Sequence, residues 1–167
     1  LSQFISYMRD GSDEELQETD INSLLQELAI QFKPLDIRFE AQPLPTITAR
    51  SLSLKRLIGN LINNSKRYGA EPIELEAHVE NDHIKISVSD HGEGIPDDQI
   101  DELMQPFVRG NAARTVQGSG LGLAIVKRIV DIHQGELSIH NRPEGGLEAV
   151  ISLPLLVESE EESQTPN

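Results

Sequence analysis

Apolar positions recur along this chain at two periods, and the switches between them mark out a series of helices and strands. Leu54, Leu57, Ile58, Leu61 and Ile62 follow the helical repeat and predict a helix over about 51–68. Leu121, Ile125, Ile129 and Ile132 predict another over about 119–133, and a third is expected near 20–32. Strict alternation takes over elsewhere. It places Ile73, Leu75, Ala77 and Val79 in a strand near 72–80, Ile84, Ile86 and Val88 in one near 83–90, and Leu147, Ala149, Ile151 and Leu153 in one near 146–153. Shorter strands are expected near 36–41, 46–49 and 135–141, and a short helix near 97–104, followed by a loop to 118. The sequence contains no internal repeat.

Alternating strands leave one face of their sheet in water, so the helices are expected on the other face alone. The fold class that follows is a two-layer α/β sandwich rather than a doubly wound sheet, whose strands would be apolar throughout. No strand is followed by the GxGxxG spacing of a dinucleotide site. At the N-terminus Leu1, Phe4, Ile5 and Met8 keep helical spacing with no capping residue ahead of them, and read as the end of a longer helix. Asp10 to Glu18 reads as an acidic connector, and the last residues, with Glu158, Glu160, Glu161 and Glu162, as a disordered tail. The organisation expected is therefore a helix end and linker over 1–18, one domain over 19–155 and a tail over 156–167.

Charge and composition narrow the chemistry. The 28 acidic residues against 14 basic give a formal net charge of −14, which argues against a nucleic-acid backbone as partner. The absence of cysteine removes disulfides and thiolate catalysis. Histidines at 78, 83, 91, 133 and 140 show no HExxH spacing, so a zinc enzyme is disfavoured. No apolar run is long enough to span a bilayer, and no secretory signal opens the chain.

Three clusters carry candidate chemistry. On the helix at 51–68, Asn60, Asn64 and Arg67 fall along one flank of the apolar stripe at about 100° per residue. Asparagine is a poor helix former, and a single one is most simply a solvated or backbone-bonded side chain. A pair one turn apart, followed by Arg67 and Tyr68, suits a Mg²⁺ ion that arrives on phosphates, with Arg67 on a phosphate oxygen. Asp90 keeps the core-facing parity of Ile84, Ile86 and Val88 at the end of its strand. It is either the acceptor of an Asx-turn with Gly92 or an acceptor for an exocyclic amino group such as that of adenine, with Gly92 and Gly94 letting backbone approach a ring and Ile95-Pro96 closing the turn. Gly118, Gly120 and Gly122, interleaved with Ser119, Leu121 and Leu123, open the helix at 119–133. Free backbone N–H groups and the positive end of a helix dipole there suit phosphate, against the plainer reading of a hinge. Between Phe107 and Gly118 a polar run containing Arg109, Gly110 and Arg114 reads as a mobile lid.

Taken together, Asn60-xxx-Asn64, Asp90-x-Gly92-x-Gly94, Gln105-Pro106-Phe107-Val108-Arg109-Gly110 and Gly118-x-Gly120-Leu121-Gly122-Leu123 resemble, in order and spacing, the N, G1, F and G2 boxes of sensor histidine kinases. Gly145-Gly146 resembles that family's final glycine pair, and Gln105 to Gly135 is most similar to its osmosensing branch. The resemblance, which covers 20–155, implies a Bergerat-type ATP-binding fold with a mixed sheet, shared with gyrase and related ATPases. It also implies ATP and Mg²⁺ as cofactors. By position, Asn64 would hold the metal, Asp90 the adenine amino group, and Tyr68 would pack on the base. Gly92, Gly94 and Ile95 would form the base-side loop, while Arg67, Arg109, Gly110 and the backbone of Ser119, Gly120, Leu121, Gly122 and Leu123 would handle phosphates.

ATPases of the superfamily carry a glutamate four residues before the metal-binding asparagine, where it orients the attacking water. Asn60 stands there instead, which favours transfer of the γ-phosphate over hydrolysis, with Asn60 and Arg109 in supporting roles. None of the five histidines has the acceptor's helical, acid-followed context, so the acceptor is expected on dimerisation helices of the same protein, of which Leu1 to Met8 would be a remnant. A response regulator would be the next partner. The segment is expected to be cytoplasmic, its parent anchored in the inner membrane through other regions. Two other functions share the pocket: a stand-alone anti-sigma-type serine kinase, and a regulatory module that binds nucleotide without catalysis.

Overall fold

The computed structural model describes residues 14–103 and 119–155. Its elements run β1 (Gln17–Thr19), α1 (Ile21–Gln31), β2 (Ile37–Phe39), β3 (Ile47–Ala49), α2 (Ser51–Tyr68), β4 (Ile73–Glu80), β5 (His83–Ser89), α3 (Asp97–Leu103), α4 (Ser119–Ile132), β6 (Glu136–Asn141) and β7 (Leu147–Pro154). The main sheet has the order β2-β4-β5-β7-β6, and a two-stranded ribbon joins β1 to β3. β2 runs parallel to β4 and the other neighbours are antiparallel, so the sheet is mixed.

Alternation and register together build the core. Leu75, Val88, Ala149 and Ile139 stand in one row across four strands, and Ala77, Ile86, Ile151 and Leu137 in the next. α1, α2 and α4 cover this face. Leu57, Ile58 and Ile62 of α2 and Val126 and Ile129 of α4 are completely buried against it, removing apolar surface from water at roughly 25 cal/mol per Å². The opposite face carries the row Glu74, Ser89, Glu148 and His140, tied by hydrogen bonds from Ser89 Oγ (2.9 Å) and between His140 Nε2 and Glu148 (2.8 Å). One face wet and one covered is the two-layer arrangement the alternation requires.

Three local features depart from the sequence pattern. Val79 shares the core parity but is 44% exposed, because β2 pairs with β4 only over residues 73–75 and leaves the far end of β4 uncovered. In α4 the buried face runs through Val126 and Val130, while Ile132 is only half-buried. The acidic stretch from Asp10 to Glu18, read as a connector, contains Glu14 and the first two residues of β1. Among β1's residues only Thr19 is buried, so no alternation betrays the strand. Asn81 and Asp82, with φ of 52° and 62°, make the tight turn of the β4–β5 hairpin, as two left-handed central residues do.

The long helix α2 begins at Arg50, whose side chain gives no cap. Glu14 supplies it from a distance: its carboxylate accepts from the N–H groups of Leu52 (2.9 Å) and Ser53 (3.0 Å) and from Ser53 Oγ (2.6 Å). Partial burial would raise its pKa, but these hydrogen bonds outweigh that and hold the carboxyl below its ordinary value. Arg50 N–H donates to Nε2 of buried His133 (3.0 Å), whose Nδ1 donates to the Ile129 carbonyl (2.8 Å). Both ring nitrogens are thus committed in the neutral form. Burial, reinforced by Arg50, lowers the His133 pKa against the opposing pull of the Ile129 carbonyl and Glu14. A base whose folded pKa is depressed contributes stability above its unfolded pKa and loses it as pH falls below about 6.5. The stability difference between wild type and His133→Asn, measured by urea unfolding, is therefore expected to shrink between pH 7.5 and pH 5.5. A difference that stays constant would contradict the neutral assignment.

Candidate functional site

α2 and the sheet diverge toward the carboxyl end of β5, and a mostly apolar cavity opens between them. Leu61, Asn64, Ser65 and Tyr68 of α2 form one wall; Val88, Ile139, Leu147 and Ala149 form the floor. Asp90, Gly94 and Ile95, from the loop after β5, close one end, and Ile100 of α3 and Leu123 of α4 complete the lining. A slot of this make-up fits a flat, largely apolar ring that offers a few polar edge groups.

Asp90 supplies the strongest polar feature. It is only 3% exposed, and its Oδ1 accepts from the N–H groups of Gly92 (2.9 Å) and Leu147 (3.2 Å). The Asx-turn reading and the ligand-acceptor reading are thus compatible, since the turn uses one oxygen and the carboxylate still lines the cavity. Its backbone is held as well: Asp90 N–H donates to the Leu147 carbonyl (3.0 Å), and His91 N–H donates to the Ala70 carbonyl (2.9 Å).

Glycines make room around that carboxylate. A Cβ on Gly69, the residue that ends α2, would overlap the Asp90 carboxylate, and one on Gly92 would come within 2.7 Å of the Gly69 Cα. Gly146, with φ of 98°, packs its Cα against the Asp90 carbonyl oxygen, which a Cβ would overlap.

Of the residues singled out from sequence, the cavity brings together Asn64, Tyr68, Asp90, Gly94, Ile95 and Leu123. Gly92 lies in the same loop, packed on Gly69 rather than in the lining. Asn60 is half-buried one turn earlier on α2 and borders a separate shallow groove with Phe32 and Gly59, and Arg67 is exposed outside the cavity lining. Of the three polar residues on that flank of α2, the cavity lining includes Asn64. Ser119, Gly120, Leu121 and Gly122 already belong to the first turn of α4. The lid between Phe107 and Gly118, with Arg109 and Gly110, lies outside the described residues, as do Leu1 to Met8 and the tail at 156–167.

Sequence reasoning missed Leu61 and Ser65, although they complete the helical set with Asn64 and Tyr68. It also missed Ile100 and Leu147, which carry no signal beyond being apolar, and Gly69. The five histidines all have partners in the fold, and none lines the cavity. Among the described residues, no group of three or more metal-ligating side chains occurs, and no helix is long and apolar enough to cross a membrane.

Residues 49–157 match the family described as histidine kinase-, DNA gyrase B- and HSP90-like ATPases. The chain belongs to that family. Among its relatives, the sensor histidine kinase GtrS of Pseudomonas aeruginosa is 36% identical over 148 residues, which cover 86% of this chain and 30% of GtrS. The chain thus spans less than a third of that relative's length. Full-length ShkA in complex with AMPPNP superposes with a TM-score of 0.79 at 26% identity, over 95% of this chain and 35% of ShkA. The histidine kinase domain of the E. coli osmosensor EnvZ superposes with a TM-score of 0.65 at 35% identity, over 92% of this chain and 96% of that domain. The mixed sheet covered on one face is the ATP-binding architecture of these histidine kinases. In this family's frame, the cavity between α2 and β5–β7 is the candidate ATP site.

Proposed function

We propose that this chain is the catalytic half of a sensor histidine kinase: it binds Mg²⁺·ATP in the cavity and delivers the γ-phosphate to a histidine on a separate dimerisation domain, for relay to a response regulator. The observation that carries this reading is the buried Asp90 carboxylate in the wall of a mostly apolar slot. A purine ring would bury its faces there while its exocyclic amino group donates to Asp90, a charge-assisted bond in a water-poor setting. Tyr68, at the rim, would pack on the base. Its partial exposure suits that role.

Asn64, whose side chain fits a hard cation through its amide oxygen, would hold Mg²⁺ that the phosphates bring with them. The N–H groups of the first turn of α4, together with Arg67 and Arg109, would receive the phosphates. With Asn60 in the place of a general base, nothing on α2 takes a proton from water, and the γ-phosphate is kept for a better nucleophile. The parent would carry the acceptor helices and the membrane anchor, with this domain on the cytoplasmic side.

Incubation with γ-labelled ATP tests the reading. The isolated chain is expected to bind Mg²⁺·ATP and label itself negligibly, but to label a supplied acceptor-helix domain in trans. Strong label on the isolated chain, or none on any acceptor, would contradict it. Asn64→Ala is expected to lower affinity in the presence of Mg²⁺ by about tenfold or more, the loss of one hydrogen-bond-scale contact to a charged group. Without Mg²⁺ the variant should bind like wild type, and unchanged Mg²⁺-dependent binding by calorimetry would remove Asn64 from the metal site.

A further inference from the structure

Asn141 and Arg142, at the end of β6, do not line the cavity, yet both grip the loop that does. The Asn141 side chain engages both backbone groups of Ile95: Oδ1 accepts from its N–H (3.0 Å) and Nδ2 donates to its carbonyl (2.7 Å) and to Asp97 Oδ1 (3.1 Å). Gly94, with φ of 76°, lies so close that a Cβ there would overlap Asn141 Oδ1. At the other end of the loop, Arg142 Nη1 donates to the Asp90 carbonyl (2.8 Å) and sits 3.3 Å from His91 Nε2. Its Nη2 bonds Glu144 (2.8 Å) and lies 3.8 Å from Glu74, and the side chain is only 13% exposed.

Two consecutive residues therefore fix both ends of the Asp90–Ile95 loop. We propose that Asn141 and Arg142 are positioning residues that set the base selectivity of the cavity by holding Asp90 and Ile95 in place. This rests on the reading of Asp90 as acceptor for a 6-amino group. A carboxylate locked in position bonds a 6-amino purine and opposes a 6-oxo purine, acceptor against acceptor; a loosened one loses angle and distance to the first and yields to the second. Ile95 N–H and carbonyl are near the surface and can exchange Asn141 for water. Removal of Asn141 should therefore loosen the loop without unfolding the domain.

The test compares dissociation constants of ATP and inosine triphosphate, which carries a 6-oxo group, for wild type, Asn141→Ala, Arg142→Met and Asp90→Asn, with thermal unfolding of each. Wild type is expected to prefer ATP, and Asp90→Asn to lose most of that preference. Asn141→Ala and Arg142→Met are expected to lower the ATP preference by about fivefold or more, through weaker ATP binding, while remaining folded. A merely structural role would weaken both nucleotides alike, and that result, or an unchanged ratio in folded variants beside a changed one in Asp90→Asn, would overturn the proposal alone. A wild type without preference, unaffected by Asp90→Asn, would sink the reading of Asp90 and the proposal with it. Should Asn141→Ala fail to fold, Asn141→Ser and Arg142→Met decide.

Discussion

Asp90→Ala is expected to weaken ATP binding by about 100-fold, roughly 3 kcal/mol, because a hydrogen bond to a buried charged acceptor lies at the strong end of the range. The same change strips the N–H groups of Gly92 and Leu147 of their shared acceptor. Leaving such donors unmatched costs about 1–3 kcal/mol of stability, so calorimetric titration and urea unfolding should both register it. Asp90→Asn separates the two effects. It keeps an oxygen for the two backbone donors but turns one acceptor into a donor, so stability should stay near wild type while ATP affinity falls. A variant that binds ATP as wild type does would remove Asp90 from the site.

The largest effect on stability is expected from Gly146→Ala. Its φ of 98° lies where L residues are strained, and the added Cβ would overlap a backbone carbonyl oxygen, that of Asp90. Neither partner is the flexible end of a side chain. Strain and displaced packing together should cost on the order of 3–5 kcal/mol, a large share of the roughly 5–15 kcal/mol that holds a domain folded. Gly145→Ala is the control. Its φ of 106° is equally unusual, but a Cβ there meets nothing closer than 4.0 Å. It should therefore cost only the backbone strain, about 1–2 kcal/mol. Similar urea midpoints for the two variants would show that crowding against Asp90 contributes nothing.

The layers of this fold were legible in the sequence because each strand that builds the core alternates over several residues, as Ile84, Ile86 and Val88 do, and each long helix carries a continuous apolar stripe. β1 was not legible: three residues with one buried side chain make no pattern, and its pairing with β3 is a tertiary matter. At the site, Asn64, Tyr68 and Asp90 stood out because polar groups on an apolar face break the local rule. Gly69, Leu147 and the Asn141–Arg142 pair did not stand out. Their roles arise from the approach of the β6–β7 turn and the end of α2 to the Asp90 loop, contacts between segments up to 57 residues apart in sequence. Asn60 shows the converse. Helical spacing put it beside Asn64, but the cavity opens only along the later turns of α2.

A structure of the chain with a non-hydrolysable ATP analogue and Mg²⁺ tests the central claim most directly. The adenine ring is expected between the end of α2 and the floor of Val88, Leu147 and Ala149, with its 6-amino nitrogen about 3 Å from an Asp90 carboxylate oxygen and the phosphates directed toward the first turn of α4. A base seated anywhere else, with the Asp90 carboxylate bonded to protein alone, would contradict it.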